Sequence, residues 1–201
     1  MQRLPEPLRD LVDKLEALPG VGERSALRMA LTLLKWPEAR ARNLGQAIWE
    51  LRDRLFVCGR CNGLADADPC HICSDPNRQD DMLCVVSEWD SLLALEQGGF
   101  FKGMYMILGG LLAPLDGVDS GELELGRLRE RLAEGKVTEL VLALGSTLEA
   151  ENTASYVKNM VSKEFPGLGV TRLAQGIPLG AEVKYMDAET LRQSLLYRQK
   201  L

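Results

Sequence analysis

The chain has 201 residues, 46% hydrophobic and 26% charged, which is an ordinary globular composition with room for one compact domain plus a smaller one. No apolar run is long enough to span a bilayer, and MQRLPEPLRD lacks the apolar core of a signal peptide, so a cytoplasmic protein without membrane attachment is expected. The net charge of −5 speaks against a polyanion partner for the chain as a whole, but residues 1–60 hold 11 Lys/Arg against 8 Asp/Glu and the remainder 13 against 21, so a basic front and an acidic back are expected to meet different partners, the plain alternative being solvated surface.

Leu8, Leu11, Val12, Leu15 and Leu18 recur at the i, i+3, i+4 spacing of an amphipathic helix. Glu23 to Leu34 reads as a second helix and Glu38 to Leu55 as a third, with Pro37 between them. A cysteine-rich loop then runs from Cys58 to Pro76. After it, MLCVVS (82–87), MYMILG (104–109) and TELVLAL (138–144) are apolar runs of strand length, and VTRLA (170–174) is a fourth. Helical patterns lie between and after them at 88–97, 122–134, 150–165 and 188–198. Strand and helix in alternation predict an α/β domain with a parallel sheet and flanking helices.

Cys58, Cys61, Cys70 and Cys73 form two C-x-x-C pairs within CGRCNGLADADPCHIC. Each pair offers two thiolates from one tight turn, and two such turns close a tetrahedron around a soft divalent ion. One structural zinc ion, Zn(2+), per chain is the expected occupant; disulfides or an iron site are the alternatives. His71 is read as a bystander inside the second pair, and Cys84, in an apolar strand, as a small core residue.

The stretch LPGVGERSALRMA places Gly20 and Gly22 in a turn ahead of a helix that carries Arg24 and Arg28 four residues apart, on one face. Backbone N–H groups at such a helix start can hold an anion. The stretch resembles a helix-hairpin-helix motif, whose amides contact nucleic-acid phosphates without reading sequence. The competing reading is an αα-hairpin with two solvated arginines.

The order of these pieces, with RMA at 28–30, CHICSDPNRQ at 70–79, APLDG at 113–117, RLRERLAEGKVTELVLA at 127–143 and RLAQGIPLGAEVKYMDAETL at 172–191, resembles the recombination mediator protein RecR family over essentially the whole chain. The resemblance implies a helix-hairpin-helix region at 1–55, a four-Cys zinc finger at 56–76, an α/β Toprim domain at 80–176 and a C-terminal assembly segment at 177–201. It implies a bacterial, nucleoid-associated DNA-repair protein that is not an enzyme. As a homotetramer ring it would clamp single- or double-stranded DNA independently of sequence, and with RecO and RecF it would help load RecA onto single strands. It places Gly20, Gly22, Arg24 and Arg28 on the DNA and the four cysteines on zinc. It also implies that Glu88, Asp116, Glu149 and Glu151 form an acidic patch docking RecO.

The chain departs from the family pattern in VVSEWDS, where Ser87 holds the usual acidic position and Glu88 follows it. Leu111 stands for a His, Gly145 for an Asn, and Glu23 for a frequent Pro. A Mg-dependent Toprim enzyme acting on DNA is the alternative from another class, but it needs a glutamate plus an Asp-x-Asp pair at a strand end. The Asp-x-Asp spacing here is Asp66 and Asp68, inside the cysteine loop. A zinc-stabilised adaptor without a ring is a third reading. The apolar residues of the first helix (Leu8, Leu11, Leu15) and the last (Leu191, Leu195, Leu196) are candidate assembly faces or ordinary core.

Overall fold

The computed structural model describes residues 4–113, 117–119 and 121–199. The chain divides into two compact units, Met1–Arg54 and Leu55–Leu201.

The first unit holds three helices: α1 (Glu6–Glu16), α2 (Glu23–Leu34) and α3 (Glu38–Arg54). Helices α1 and α2 pack through Val12, Ala26 and Ala30, all fully buried, with Leu8, Leu11, Leu15, Val21 and Leu27 around them. Alanines at the contact let the two backbones approach closely. Leu8, Leu11 and Leu15 are therefore spent within the unit. The turn between the helices requires Gly20, whose φ of 76° is left-handed. Helix α3 has no buried residue. Its Ala41, Leu44, Ile48 and Leu51 follow a 3-4-3 spacing, the seam of a coiled coil.

The second unit is the expected α/β body. A ribbon of β1 (Phe56–Val57) and β2 (Leu64–Ala65) and the short α4 (His71–Ser74) come first. There follow β3 (Gln79–Val86), α5 (Trp89–Gly98), β4 (Gly103–Ile107), α6 (Leu125–Ala133), β5 (Glu139–Ala143), α7 (Leu148–Glu164), β6 (Gly169–Arg172), a 3-10 turn (Val183–Tyr185) and α8 (Ala188–Leu196). The sheet order is β4-β3-β5-β6, and every pairing is parallel.

Alternation along the strands sends side chains to two covered faces. Leu83, Val85, Met104, Met106, Leu140 and Leu142 meet Leu125, Leu128 and Leu132 of α6 and Val157, Met160 and Val161 of α7. Cys84, Val86, Tyr105, Ile107 and Ala143 meet Leu92 of α5 and the four cysteines of the 58–73 loop. Cys84 is thus a core residue, 2% exposed, and burial pushes its thiol up to about 12.

Candidate metal centre and nucleic-acid interface

The stretch from Cys58 to Pro76 reads as a loop from its sequence, yet it contains β2 and α4, with β1 just ahead of it. The ribbon pairs Phe56 with Ala65 and Val57 with Leu64, which brings the first cysteine pair into one turn. Asn62 closes that turn in the left-handed region at φ 62°, its N–H donating to the Cys58 carbonyl at 3.0 Å. Gly63 is needed for a different reason: a Cβ there would lie 3.1 Å from Cys61 Sγ. The Gly63 N–H donates to that same sulfur at 3.4 Å. In the second turn Cys70 caps α4, its sulfur accepting from the Cys73 N–H, while the Cys70 N–H donates to Cys58 Sγ, both at 3.4 Å. The Gly59 N–H donates to Asp68 Oδ1 at 2.9 Å and ties the two turns together.

All four sulfurs lie within 4.8 Å of one another and all four cysteines are buried. Tetrahedral Zn–S bonds of about 2.3 Å put sulfurs about 3.8 Å apart. The Cys61 and Cys70 sulfurs stand 3.5 Å apart as free thiols, not as a disulfide. The donor set therefore fits zinc. His71 is exposed on α4 and stays outside the cluster. The thiols are not equivalent. Burial disfavours the Cys58 thiolate, but the backbone N–H groups of Cys70, Arg60 and Cys61 outweigh it and bring the thiol down to about 7. Cys61 is pushed up by its hydrogen bond with Cys73 and by burial, and burial takes Cys70 up to about 11.

In the first unit, Gly22 caps α2 with no side-chain hydrogen bond. The first amides of α2 are left without a side-chain partner, as an anion site requires. Arg24 and Arg28 line a shallow cleft along α2 with Leu27, Leu31, Thr32 and Lys35. Lys35 lies three helical turns from Arg24 on the same stripe, a spacing readable from the sequence but not used there. The ion pairs of this unit are Lys14–Asp10, Arg42–Glu38 and Arg54–Glu50, so among the described residues Arg24, Arg28 and Lys35 have no carboxylate partner.

Of the acidic candidates, Glu88, Glu149 and Glu151 follow strands β3 and β5 at the C-terminal end of the sheet. Val86 is paired with Ala143, so the turns after β3 and β5 are neighbours, and their connections leave in opposite directions. Such a reversal opens a crevice at the strand ends. Glu88 caps α5 there and is exposed, while Ser87 lends its carbonyl to the Gly109 N–H at 2.9 Å. Glu149 lies in the first turn of α7, where its own backbone N–H and Thr147 hold its carboxyl below the usual range. Glu151 is engaged differently: Arg172 on β6 grips both its oxygens and Gln175 donates to it at 3.2 Å. Asp116 lies outside the described residues. Among the described residues no helix is long and apolar enough to cross a membrane.

Comparison with known proteins accounts for the order of these parts along the chain. Family models described as "RecR, helix-hairpin-helix", "Toprim domain" and "RecR, C-terminal" match residues 8–51, 81–174 and 176–199, and the model of the RecR four-cysteine zinc finger domain matches residues 55–75. The "Recombination protein RecR" of Nitratidesulfovibrio vulgaris is 64% identical over 201 residues, the full length of both chains. The chain belongs to the RecR family. Proteins of the same name from Maridesulfovibrio salexigens and Myxococcus xanthus are 58% and 42% identical, covering 100% of both chains in the first case and 98% of this chain and 99% of the other in the second. In this RecR chain the buried Cys58, Cys61, Cys70 and Cys73 are the ligands of one structural zinc. Four thiolates fill its coordination sphere, so it supplies stability to the fold.

Proposed function

We propose that this chain is a DNA clamp of recombinational repair, a recombination mediator that works without catalysing a reaction of its own. The observation that carries this reading is the free start of α2: a helix N-terminus with no side-chain cap, from which Arg24, Arg28 and, three turns on, Lys35 run along one stripe, none of them neutralised among the described residues. Backbone amides and unpaired cations on one exposed face suit phosphates of any sequence. A few contacts per chain bind weakly, and a homotetramer ring would multiply them and add topological retention.

Unspent apolar surface supports self-assembly. On α3, Leu44, Ile48 and Leu51 are 39%, 68% and 56% exposed, and no residue of α8 is buried. A coiled-coil seam on α3 suits a second copy of the chain. Leu179, Leu195 and Leu196 belong to a C-terminal segment with the same character. The crevice at the sheet end, with Glu88 and Glu149, suits a basic partner, for which RecO is the candidate, with RecF beside it and RecA loading as the outcome. Ser87, and the lack of an Asp-x-Asp pair at a strand end, weigh against the Mg-dependent enzyme.

The test is fluorescence anisotropy of a labelled gapped duplex at several salt concentrations, with and without RecO, comparing the native chain with Arg24→Glu plus Arg28→Glu. Binding that falls steeply with salt and disappears in the double variant is the expected result. Equal binding by both proteins would place the DNA elsewhere. A solution mass equal to one chain would remove the ring.

A further inference from the structure

We propose that Arg131 is the buried counter-charge of the zinc tetrathiolate, joining α6 electrostatically to the loaded 58–73 loop. Arg131 is 5% exposed, and its Nη1 has no hydrogen-bond partner among the described residues. A guanidinium cannot shed its proton, so burial cannot be relieved by neutralisation. A buried cation without a partner is costly, and its charge must be answered by something nearby.

The face of α6 that carries it identifies that something. Arg127, Arg131 and Glu134 follow i, i+4, i+7 spacing along one flank. Arg127 donates from Nη1 to the Cys58 carbonyl at 3.1 Å. Glu134 accepts from Arg60, inside the first cysteine pair, also at 3.1 Å. The turns before and after Arg131 thus both touch the first cysteine turn. The carboxylates of this flank are engaged: Glu134 with Arg60, and Glu124 with Arg127 at 3.4 Å. Arg129, on the opposite flank, pairs with Glu164 at 2.9 Å. Arg131 alone of the α6 arginines lacks a carboxylate among the described residues.

Four thiolates around a divalent zinc leave a net charge of −2 on the site. Backbone N–H groups of Gly63, Cys70 and Cys73 already donate to its sulfurs. They carry only partial charge, and a full cation held on the adjacent helix face balances what remains. Groups just outside the ligand sphere tune metal affinity in this way. The arrangement also gives a directional consequence. With zinc bound Arg131 stabilises the loaded loop; once the metal is removed that contribution is lost.

The full-length chain with Arg131→Met, Arg131→Lys or Arg129→Met tests the proposal. Zinc transfer to a competing chelator is followed with a metallochromic dye, and melting is followed on zinc-loaded and on reduced, metal-free protein. Arg131→Met should hold zinc at least ~10-fold more weakly. Arg131→Lys should recover most of that loss, and Arg129→Met should match the native chain. In metal-free protein Arg131→Met should melt no lower than the native chain, the reverse of its effect on the loaded form. Should the metal-free form show no transition, the Met-against-Lys difference in zinc transfer decides. Equal zinc transfer by Arg131→Met and the native chain, equal loss by the Met and Lys variants, or the same melting decrease with and without zinc would each overturn the proposal and leave Arg131 as packing.

Discussion

Glu151 offers the sharpest separation of docking from stability. As part of an acidic docking patch, its reversal should remove partner binding and leave the fold untouched. In the structure its carboxylate is gripped at both oxygens by Arg172 and assisted by Gln175. The side chains of Arg172 and Glu151 are 35% and 43% exposed, so solvent screening limits the pair to about 0.5–1 kcal/mol. For a body of this size that is roughly 1–4 °C in Tm. Glu151→Lys should lower Tm by more than Glu151→Gln, because it sets two cations together. Glu151→Lys combined with Arg172→Glu should recover most of the loss. The hydrogen bonds from Arg172, offset in part by desolvation, hold the Glu151 carboxyl below its ordinary value. Its folded pKa is depressed, so this stabilisation is present above about pH 4.3, the unfolded value, and is lost as pH falls through the folded value. Thermal melts of the four proteins at neutral and acid pH, with RecO binding beside them, are the assay. Glu151→Lys with unchanged Tm and abolished RecO binding would refute the reasoning and make Glu151 a docking residue.

Three other outcomes are expected. Lys35→Gln should lower the slope of log K against log salt by roughly one for each chain whose α2 meets the DNA, without changing sequence preference. Glu23→Gln should tighten DNA binding a few-fold, since Glu23 places a negative charge in the first turn of α2 where a phosphate would sit; unchanged affinity would move the phosphate away from that turn. Zinc should be held more tightly at pH 8 than at pH 6, with protons released on loading. The Cys61 thiol is pushed up by its Cys73 hydrogen bond and burial, and Cys70 by burial, whereas Cys58 is brought down to about 7, so loading has thiol protons to displace. Proton release is measurable by titration in weak buffer.

Periodicity made the helices and the sheet legible. Glu23 to Leu34 is α2 residue for residue, because a Gly turn marks its start and an apolar stripe runs to its end. The central strands were equally readable, since strands covered on both faces appear as continuous apolar runs. The four cysteines were readable from spacing alone. What escaped lacks a local signal. Two-residue strands such as Phe56–Val57 have no period to detect. The pairing of Glu151 with Arg172 depends on the β5–β6 register and joins residues 21 apart. The seam of Ala41, Leu44, Ile48 and Leu51 was present in the sequence but reads equally as core, and only the exposure of α3 separates the two.

The structure also explains why a chain with a sizeable α/β core should need zinc. Among the described residues, one face of the sheet is closed by α6 and α7, whereas the other has α5 and the cysteine loop. That loop, rich in Gly, Asp and Pro, offers few apolar side chains to cover Tyr105, Ile107 and Val86. Metal ligation supplies the rigidity that apolar bulk would otherwise give. The loop and the sheet therefore share one core, despite the separate stretches they occupy in sequence. The Ile107 N–H donating to the Cys61 carbonyl at 2.9 Å extends that continuity into the backbone. Trp89 reports on it directly, because its indole N–H donates to the Asn62 carbonyl at 2.9 Å. Chelation in a chain with Trp36 and Trp49 replaced by Phe should change Trp89 emission and far-UV ellipticity in one coincident transition. A fluorescence change that is complete before any strand signal is lost would show the loop melting alone, and the shared core would then be an adjacency without cooperativity.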